Sequence, residues 1–562
     1  MGRRLEDFAV PNRIGPRSRC KGDCEDPKIT VSPLKVFWLI STVCVSIVAG
    51  LSLVWPATAW AFVVIGPLII LGIHDSYQRS HAVIRNFPVI GRARYWMEAI
   101  RPEIQQYFVE SDTSGRPFSR ELRSVVYQRA KGATDTRPFG TIRDLDAVGS
   151  EWIAHSLAPK HPPEQEPRIL IGEGRCERPY AASMLNVSAM SFGSLSKNAV
   201  LALNGGAKLG GFAHNTGEGG LSPYHLQPGG DLIWQIGTGY FGCRTPDGNF
   251  DPDEFARKAE HESVKMIEIK LSQGAKPGHG GILPGAKVTA EIAQIRGVPM
   301  GQDVISPPYH QAFSTPKGLL DFIVQLRELS GGKPIGFKLC VGQPSEFLSI
   351  CKAMVQTGVV PDFITVDGAE GGTGAAPMEF SNAIGMPLTD GLLLVHNALL
   401  GCDLRSKIRV ICSGKIVTGF HMVQRLAIGA DLCNSARAMM FALGCIQALK
   451  CNTNHCPVGV TTQDPDLVRG LDVVGKTRRV FNYHRSTVNS FLEILGAAGL
   501  SHPDELHPRH IQRRVSPTQV QDYGRIYQCF EPGALLSSSP PATSPTCAAI
   551  SEAWAAASPE RF

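Results

Sequence analysis

Three cysteines, Cys445, Cys451 and Cys456, fall within twelve residues and run directly into Pro457-Val458-Gly459-Val460. Soft thiolates select iron-sulfur clusters, and a tight loop that gathers only three of them suits a three-iron cluster, whose cube lacks one corner. The same spacing admits two other chemistries. The trio with His455 would make a structural zinc site, or small buried thiols would simply pack a helix-loop junction. Thiol spacing does not choose among these, so the choice falls to the elements that must hold this loop.

The 562-residue chain has 58 glycines and 40 prolines without the periodicity of a fibre, a high loop content on a large scaffold. Loops of this kind point to ligand binding. The net charge of +6 is small for the length, and no basic stripe interleaved with aromatics argues for nucleic acid. Positive charge gathers at Arg3, Arg4, Arg13, Arg17, Arg19, Lys21 and Lys28, making residues 1–30 a basic tail in which Cys20 and Cys24 take no assigned role. From Val36 to Trp55 no residue is charged, about the twenty residues that cross a bilayer core. A second uncharged run, Ala57 to Ile73, is slightly shorter but usable. Trp55 and Trp60 flank the turn, and Arg79, Arg85, Arg92 and Arg94 follow the second run. Residues 31–80 therefore read as a two-helix transmembrane hairpin in membrane lipid, with both ends and the catalytic bulk in the cytoplasm. No small-residue cleavage site precedes the second run, against a signal peptide. In that compartment the 15 cysteines are metal ligands and free thiols before they are disulfides.

Residues 81–165 form an adaptor with a helical pattern near Arg92 to Phe108 and no catalytic cluster. From 166 to 500 the texture changes to short apolar runs, each followed by a helix-like segment. Eight runs are expected as strands: Leu185 to Met190, Gly211 to Thr216, Met266 to Leu271, Asp303 to Ser306, Ile335 to Val341, Phe363 to Asp367, Ile408 to Cys412 and Ala430 to Asn434. Eight strand-helix repeats predict an α/β fold, a (β/α)8 TIM barrel preceded by the hairpin, with an open doubly wound sheet as the competing arrangement. Residues 501–562 are a C-terminal tail, and its stretch from Ser537 to Ala557, rich in Ser, Pro and Ala, is expected to be disordered.

Barrel chemistry sits in the loops after the strands, often with a phosphate site after the last two. Here those loops carry Ser191, Glu218, Gly371-Gly372-Thr373-Gly374, Ser413-Gly414-Lys415 and Ala436-Arg437. Glycine lets backbone N–H groups close on phosphate oxygens, and a lysine or arginine adds charge. A phosphate-bearing cofactor beside an iron-sulfur loop suggests a flavin, which exchanges hydrides with substrates and single electrons with clusters. Gly237-Thr-Gly-Tyr-Phe-Gly242 matches the dinucleotide fingerprint, but it runs into a turn where the fingerprint needs a helix, so nicotinamide binding is not expected there.

In this order, HNTGEGG at 214–220, QGAKPGHGG at 273–281, ISPP at 305–308, DGAEGGTGAAP at 367–377 and CNTNHCPVGVTTQ at 451–463 resemble the flavin-binding synthase domain of glutamate synthase. The resemblance covers about Arg168 to Leu500, and the N-terminal region is similar to that of membrane-associated stand-alone members. It implies FMN in the barrel mouth, a [3Fe-4S] cluster on Cys445, Cys451 and Cys456, and Lys338 and Glu218 near the substrate. An anionic 2-oxo acid needs a cation, and making or reducing an imine needs a positioned proton donor and acceptor. Alternatively, Lys338 partners an internal carboxylate and Glu218 caps a turn. The amidotransferase and β-helix domains of full-length glutamate synthase have no counterpart here, so ammonia, an amine or a separate amidotransferase chain is expected as nitrogen source.

The function expected is reductive amination of a 2-oxo acid, 2-oxoglutarate to glutamate, with electrons from a ferredoxin-like protein or a reductase. Two rivals stand beside it. One is a membrane dehydrogenase that oxidises an amino or hydroxy acid and passes electrons to quinone, for which His421 is the nearby candidate base. The other is a flavoprotein kept as a non-catalytic electron carrier.

Overall fold

The computed structural model describes residues 32–134, 136–538 and 544–562, so the basic tail with Cys20 and Cys24 lies outside the described residues. The chain divides into two compact units, Met1–Val109 and Glu110–Phe562, a boundary inside the stretch expected to be a single adaptor.

In the first unit, helix α1 (Pro33–Val54) starts at Ser32, whose hydroxyl accepts the Lys35 N–H. A 3-10 turn over Pro56–Ala61 leads into α2 (Phe62–Tyr77). The chain folds back on itself, because the Phe37 ring fills the space that a Cβ at Gly72 would need. Both α1 and the stretch Pro56–Tyr77 are 22 residues long, with mean hydropathies of 2.2 and 2.0, long and apolar enough to cross a membrane. Helix α3 (Arg92–Ile104) follows, its first residue held by the Arg92 guanidinium on the fully buried Asp75 carboxylate.

The second unit opens with α4 (Arg120–Lys131) and then builds a closed, all-parallel barrel. Its strands are β1 (Leu185–Val187), β2 (His214–Asn215), β3 (Leu232–Ile236), β4 (Val264–Lys270), β5 (Ile335–Leu339), β6 (Phe363–Asp367), β7 (Arg409–Ser413) and β8 (Leu432–Ser435). Pairing runs in sequence order, and β8 closes on β1 through Cys433 opposite Leu185 and Ser435 opposite Val187. Nearly every strand residue is buried because a parallel barrel is covered on both faces. Two helices complete the site's support: the short α5 (Arg437–Leu443) after β8, then the long α6 (Val473–Ala497).

The barrel is the one expected, but one of the eight expected strands gives way to another. Asp303 to Ser306 is not a barrel strand: Val304–Ile305 pairs antiparallel with Ile282–Leu283 in a separate two-stranded sheet. The missing strand is Leu232–Ile236, all five residues buried. It escapes a count of strand-helix repeats because only a four-residue helix, Pro223–Leu226, stands between β2 and β3. The expected disorder near the C-terminus is also corrected. Pro545–Ala556 forms helix α7, capped by Ser544, with Cys547 and Ile550 buried and Lys352 over the Trp554 ring at 4.9 Å. Small residues let this helix lie close, and two apolar side chains suffice to dock it.

Candidate active site

The carboxyl ends of the barrel strands surround a cavity of about 310 Å³. It brings together Lys338 from β5, Glu218 from the loop after β2 and Ser191 from the loop after β1. It also gathers Gly371, Gly372, Thr373 and Gly374 after β6, Ser413, Gly414 and Lys415 at the end of β7, and Ala436 and Arg437 after β8. Two halves can be told apart by charge.

In one half, the loops after β6, β7 and β8 are pressed together. Gly372 allows this, since a Cβ there would come within 2.8 Å of the Arg437 side chain. Arg437 donates to the Glu370 carbonyl at 2.6 Å, and Lys415 sits in the left-handed region at φ +53°. A non-glycine residue held there costs on the order of 1 kcal/mol, which the packed loop must offset. Among the described residues neither Lys415 nor Arg437 has an ion-pair partner. Burial pulls the Arg437 guanidinium down to about 10. Burial likewise lowers Lys415, and the positive charges of Arg437 and Arg116 lower it further. Two cations without counter-ions, Arg437 half-buried and Lys415 exposed at the cavity mouth, beside glycine backbone fit a phosphate, which would neutralise them.

In the other half, Glu218 Oε1 meets Lys270 Nζ at 2.8 Å. Burial pushes the Glu218 carboxyl up, but Lys270 and, farther off, Lys276 and Arg296 outweigh it and hold the group below its ordinary value. Its other oxygen, Oε2, is buried without a hydrogen-bond partner among the described residues. Lys338 lies opposite Lys270 in the β5–β4 register. Among the described residues Lys338 has no ion-pair partner, and the buried Glu268 is satisfied by Asn215, Gln235 and Thr365 at 2.6–2.9 Å. Lys276 donates to the Ala375 carbonyl at 3.1 Å, and burial pulls its ammonium down to about 8.

A second, small cavity adjoins the first. Cys445, Cys451 and Cys456 all line it, and Cys451 and Thr461 line both cavities. Burial pushes the Cys456 thiol up, yet hydrogen bonds from Thr461, Val458 and Val460 outweigh it and hold the thiol below its usual value. Cys445 receives the Gln447 N–H at 3.4 Å. Donors aimed at sulfur suit ligands of an iron-sulfur cluster. Among the described residues no three His, Cys, Asp or Glu side chains converge on a single point as a lone metal ion requires, and His455 is exposed. A cluster does not need that convergence, because each thiolate binds a different iron.

The conserved region in glutamate synthase matches residues 156–501. This chain belongs to the glutamate synthase family. It is 40% identical over 499 residues to the glutamate synthase large subunit-like protein YerD of Bacillus subtilis, covering 82% of this chain and 94% of that one. It is 37% identical over 323 residues to the archaeal glutamate synthase [NADPH] of Methanocaldococcus jannaschii, covering 57% of this chain and 60% of that one. Among solved structures, a flavocytochrome b2 mutant with pyruvate bound aligns with a TM-score of 0.41 at 12% identity, over 77% of this chain and 91% of that one. Glutamate synthases are oxidoreductases, and this chain is a glutamate synthase-like oxidoreductase.

Within this glutamate synthase-like site, several residues are absent from the sequence-based set. Lys270 ends the strand Val264–Lys270, where it follows the charged Glu268 by two residues, so both side chains share one face of the strand, a signal that was available. Phe118 and Gln447 carry none. The Phe118 ring, 1% exposed, lines the cavity from outside the barrel. His421, the base expected of a dehydrogenase, does not line the cavity and accepts the Val417 N–H with Nδ1. The dinucleotide-like Gly237–Gly242 does follow a strand, β3, but opens no helix. A Cβ at Gly237 would lie 2.7 Å from the Glu218 Cβ, so this glycine makes room for a carboxylate, not a phosphate.

Gly274 has a similar duty, because an added Cβ would overlap the Gly368 carbonyl oxygen where the loops after β4 and β6 meet. Gly274→Ala should destabilise the protein by roughly 1–3 kcal/mol through overpacking, read as a lower urea midpoint at unchanged slope. An unchanged midpoint would mean that the two loops move apart freely.

Proposed function

We propose that this chain is an FMN and iron-sulfur enzyme that aminates a 2-oxo acid reductively, 2-oxoglutarate to glutamate. Electrons come from a ferredoxin-like protein or a reductase, and nitrogen from ammonia, an amine or a separate amidotransferase chain. The observation that carries the proposal is the shared wall: Cys451 borders both the small thiol-lined cavity and the cavity that holds Lys338 and Glu218.

Lys415, Arg437 and the glycine loops would hold the FMN phosphate, and Cys445, Cys451 and Cys456 the [3Fe-4S] cluster. Bound there, the flavin supplies hydride and the cluster relays single electrons to it. The chain's own residues do the rest. Lys338 and Lys276 attract the carboxylates of the 2-oxo acid, so its carbonyl carbon enters in a fixed orientation. Glu218, ionised by Lys270, takes a proton from the attacking amine through its free Oε2, and returns it to the departing water as the imine forms. Closely packed loops exclude bulk water, which would otherwise reverse that condensation. Helices α1 and α2 anchor the chain in a membrane with the catalytic unit on the cytoplasmic side.

Lys276 gives the site a pH dependence. With its ammonium pulled down to about 8 by burial, the positive charge is present below pH 8 and lost above it. KM for the 2-oxo acid should therefore rise as pH passes 8, and Lys276→Arg, which keeps its charge, should remove that rise. A KM flat to pH 9 in the unmodified enzyme would take Lys276 out of substrate binding.

The whole proposal is tested anaerobically. Protein in detergent is reduced with light and a deazaflavin, 2-oxoglutarate and ammonium are added, and the oxidised-flavin band is followed. Recovery that needs both additions supports the synthase. Failure with every 2-oxo acid and amine, together with fast reoxidation by a quinone analogue, overturns it in favour of a membrane dehydrogenase.

A further inference from the structure

The stretch before α4 lies outside the barrel, yet it forms part of the cavity wall. Pro117 and Phe118 line the cavity, and the Phe118 ring faces the Arg437 guanidinium at 4.7 Å and the Lys415 ammonium at 5.9 Å. These two cations repel each other, and burial adds to the cost of keeping Arg437 charged. The electron-rich face of an aromatic ring is one of few neutral surfaces that attracts a cation. Behind it, Phe441 of α5 packs edge-on at 5.3 Å and fixes the ring.

The stretch is fastened to the cysteine loop. Gln447 Oε1 accepts the Phe118 N–H at 3.2 Å, and its Nε2 donates to the carbonyls of Phe118 and Arg116 at 3.4 and 3.5 Å. The Gln447 N–H in turn points at the Cys445 sulfur. One residue thus touches both the strap and a thiol of the trio.

We infer that Arg116–Phe118 is a strap that closes the phosphate end of the cofactor cavity, with Phe118 as the positioning residue that holds Lys415 and Arg437 toward the phosphate. The inference rests on the FMN assignment proposed above. Phe118 does not touch the reacting atoms; it acts through the two cations.

The test is flavin affinity in the full-length protein, measured by quenching of FMN fluorescence as apoprotein is titrated in. Phe118→Leu keeps an apolar side chain of somewhat smaller volume and loses the ring; Phe118→Tyr keeps the ring. Phe118→Leu should weaken FMN binding roughly threefold to thirtyfold, Phe118→Tyr should restore it, and both should remain cooperatively folded at the assay temperature and keep the same iron content. Riboflavin, which has no phosphate, should bind both variants alike. Equal FMN affinity in Phe118→Leu and wild type overturns the strap, as does a loss that Phe118→Tyr fails to restore. Should Phe118→Leu misfold, Gln447→Leu is measured instead: it frees the strap without touching the ring, and wild-type affinity there overturns the inference. A wild-type protein that binds no FMN fails at the cofactor assignment, an outcome that also removes the strap's purpose.

Discussion

With the proposed cluster on Cys445, Cys451 and Cys456, Cys451→Ser will strip the protein of iron. Iron and acid-labile sulfide in the anaerobically purified variant should fall to background, and the low-temperature EPR signal of an oxidised three-iron cluster should vanish. A serine oxygen is a poor ligand for a site that selects soft thiolates, and one lost ligand of three leaves a cluster too weakly held to survive purification. Cys451 is the sharpest choice because it borders both cavities. With its ligand gone, electrons from an external donor should no longer reach the flavin, while photochemical reduction of bound flavin persists. Cys433→Ser is the control: that thiol is buried in β8 against Cys412 at 3.4 Å, away from the trio, and its loss should leave iron unchanged. Two results would sink the cluster. Wild-type iron content in Cys451→Ser means the trio only packs a loop, and zinc in place of iron in the wild-type protein means a structural metal.

The second large effect belongs to Glu218. Glu218→Gln keeps the shape but removes the charge and the free acceptor oxygen, so turnover of 2-oxoglutarate with ammonium should fall about 10²- to 10⁴-fold, the usual worth of a placed general base. The same change leaves Lys270 buried without its counter-charge. Removing one partner of a buried pair costs about 3–5 kcal/mol, so the variant should also be less stable. The two effects separate in Glu218→Gln/Lys270→Met, which removes both charges: stability should return while turnover stays low. Recovered turnover in the double variant would reduce Glu218 to a structural counter-ion. Acid adds a sign to check. Since Lys270 and its neighbours hold the folded Glu218 pKa below the ordinary value, its stabilisation is present above the unfolded carboxylate's pKa and is lost as pH falls through the folded value. Wild type should lose stability over that acid range, and Glu218→Gln should lose less.

Much of this was legible in the sequence because it is local. The cysteine trio, the glycine loops and the apolar runs each lie within a dozen or so residues, and their spacing alone fixes which backbone groups can meet. The cofactor loops after β6, β7 and β8 are contiguous motifs, and all their singled-out residues line one cavity. The two apolar runs that became α1 and α2 were equally plain, since twenty uncharged residues are a pattern of composition.

Strand identity was less secure. Leu232–Ile236 and Val304–Ile305 are both short apolar runs, and periodicity cannot tell a barrel strand from a hairpin strand when each is a few residues long. Only the closing of the barrel decides between them. Glu218 in the loop after β2 and Lys270 at the end of β4 acquire their meaning at 2.8 Å. Phe118 and Gln447 are 329 residues apart, and no local pattern announces such a pair. The sequence by itself determined the family and the barrel class, because those depend on residue type and near spacing. The tertiary structure alone decided which carboxylate meets which lysine and which outlying ring closes the pocket, because those depend on where a folded chain brings its distant parts.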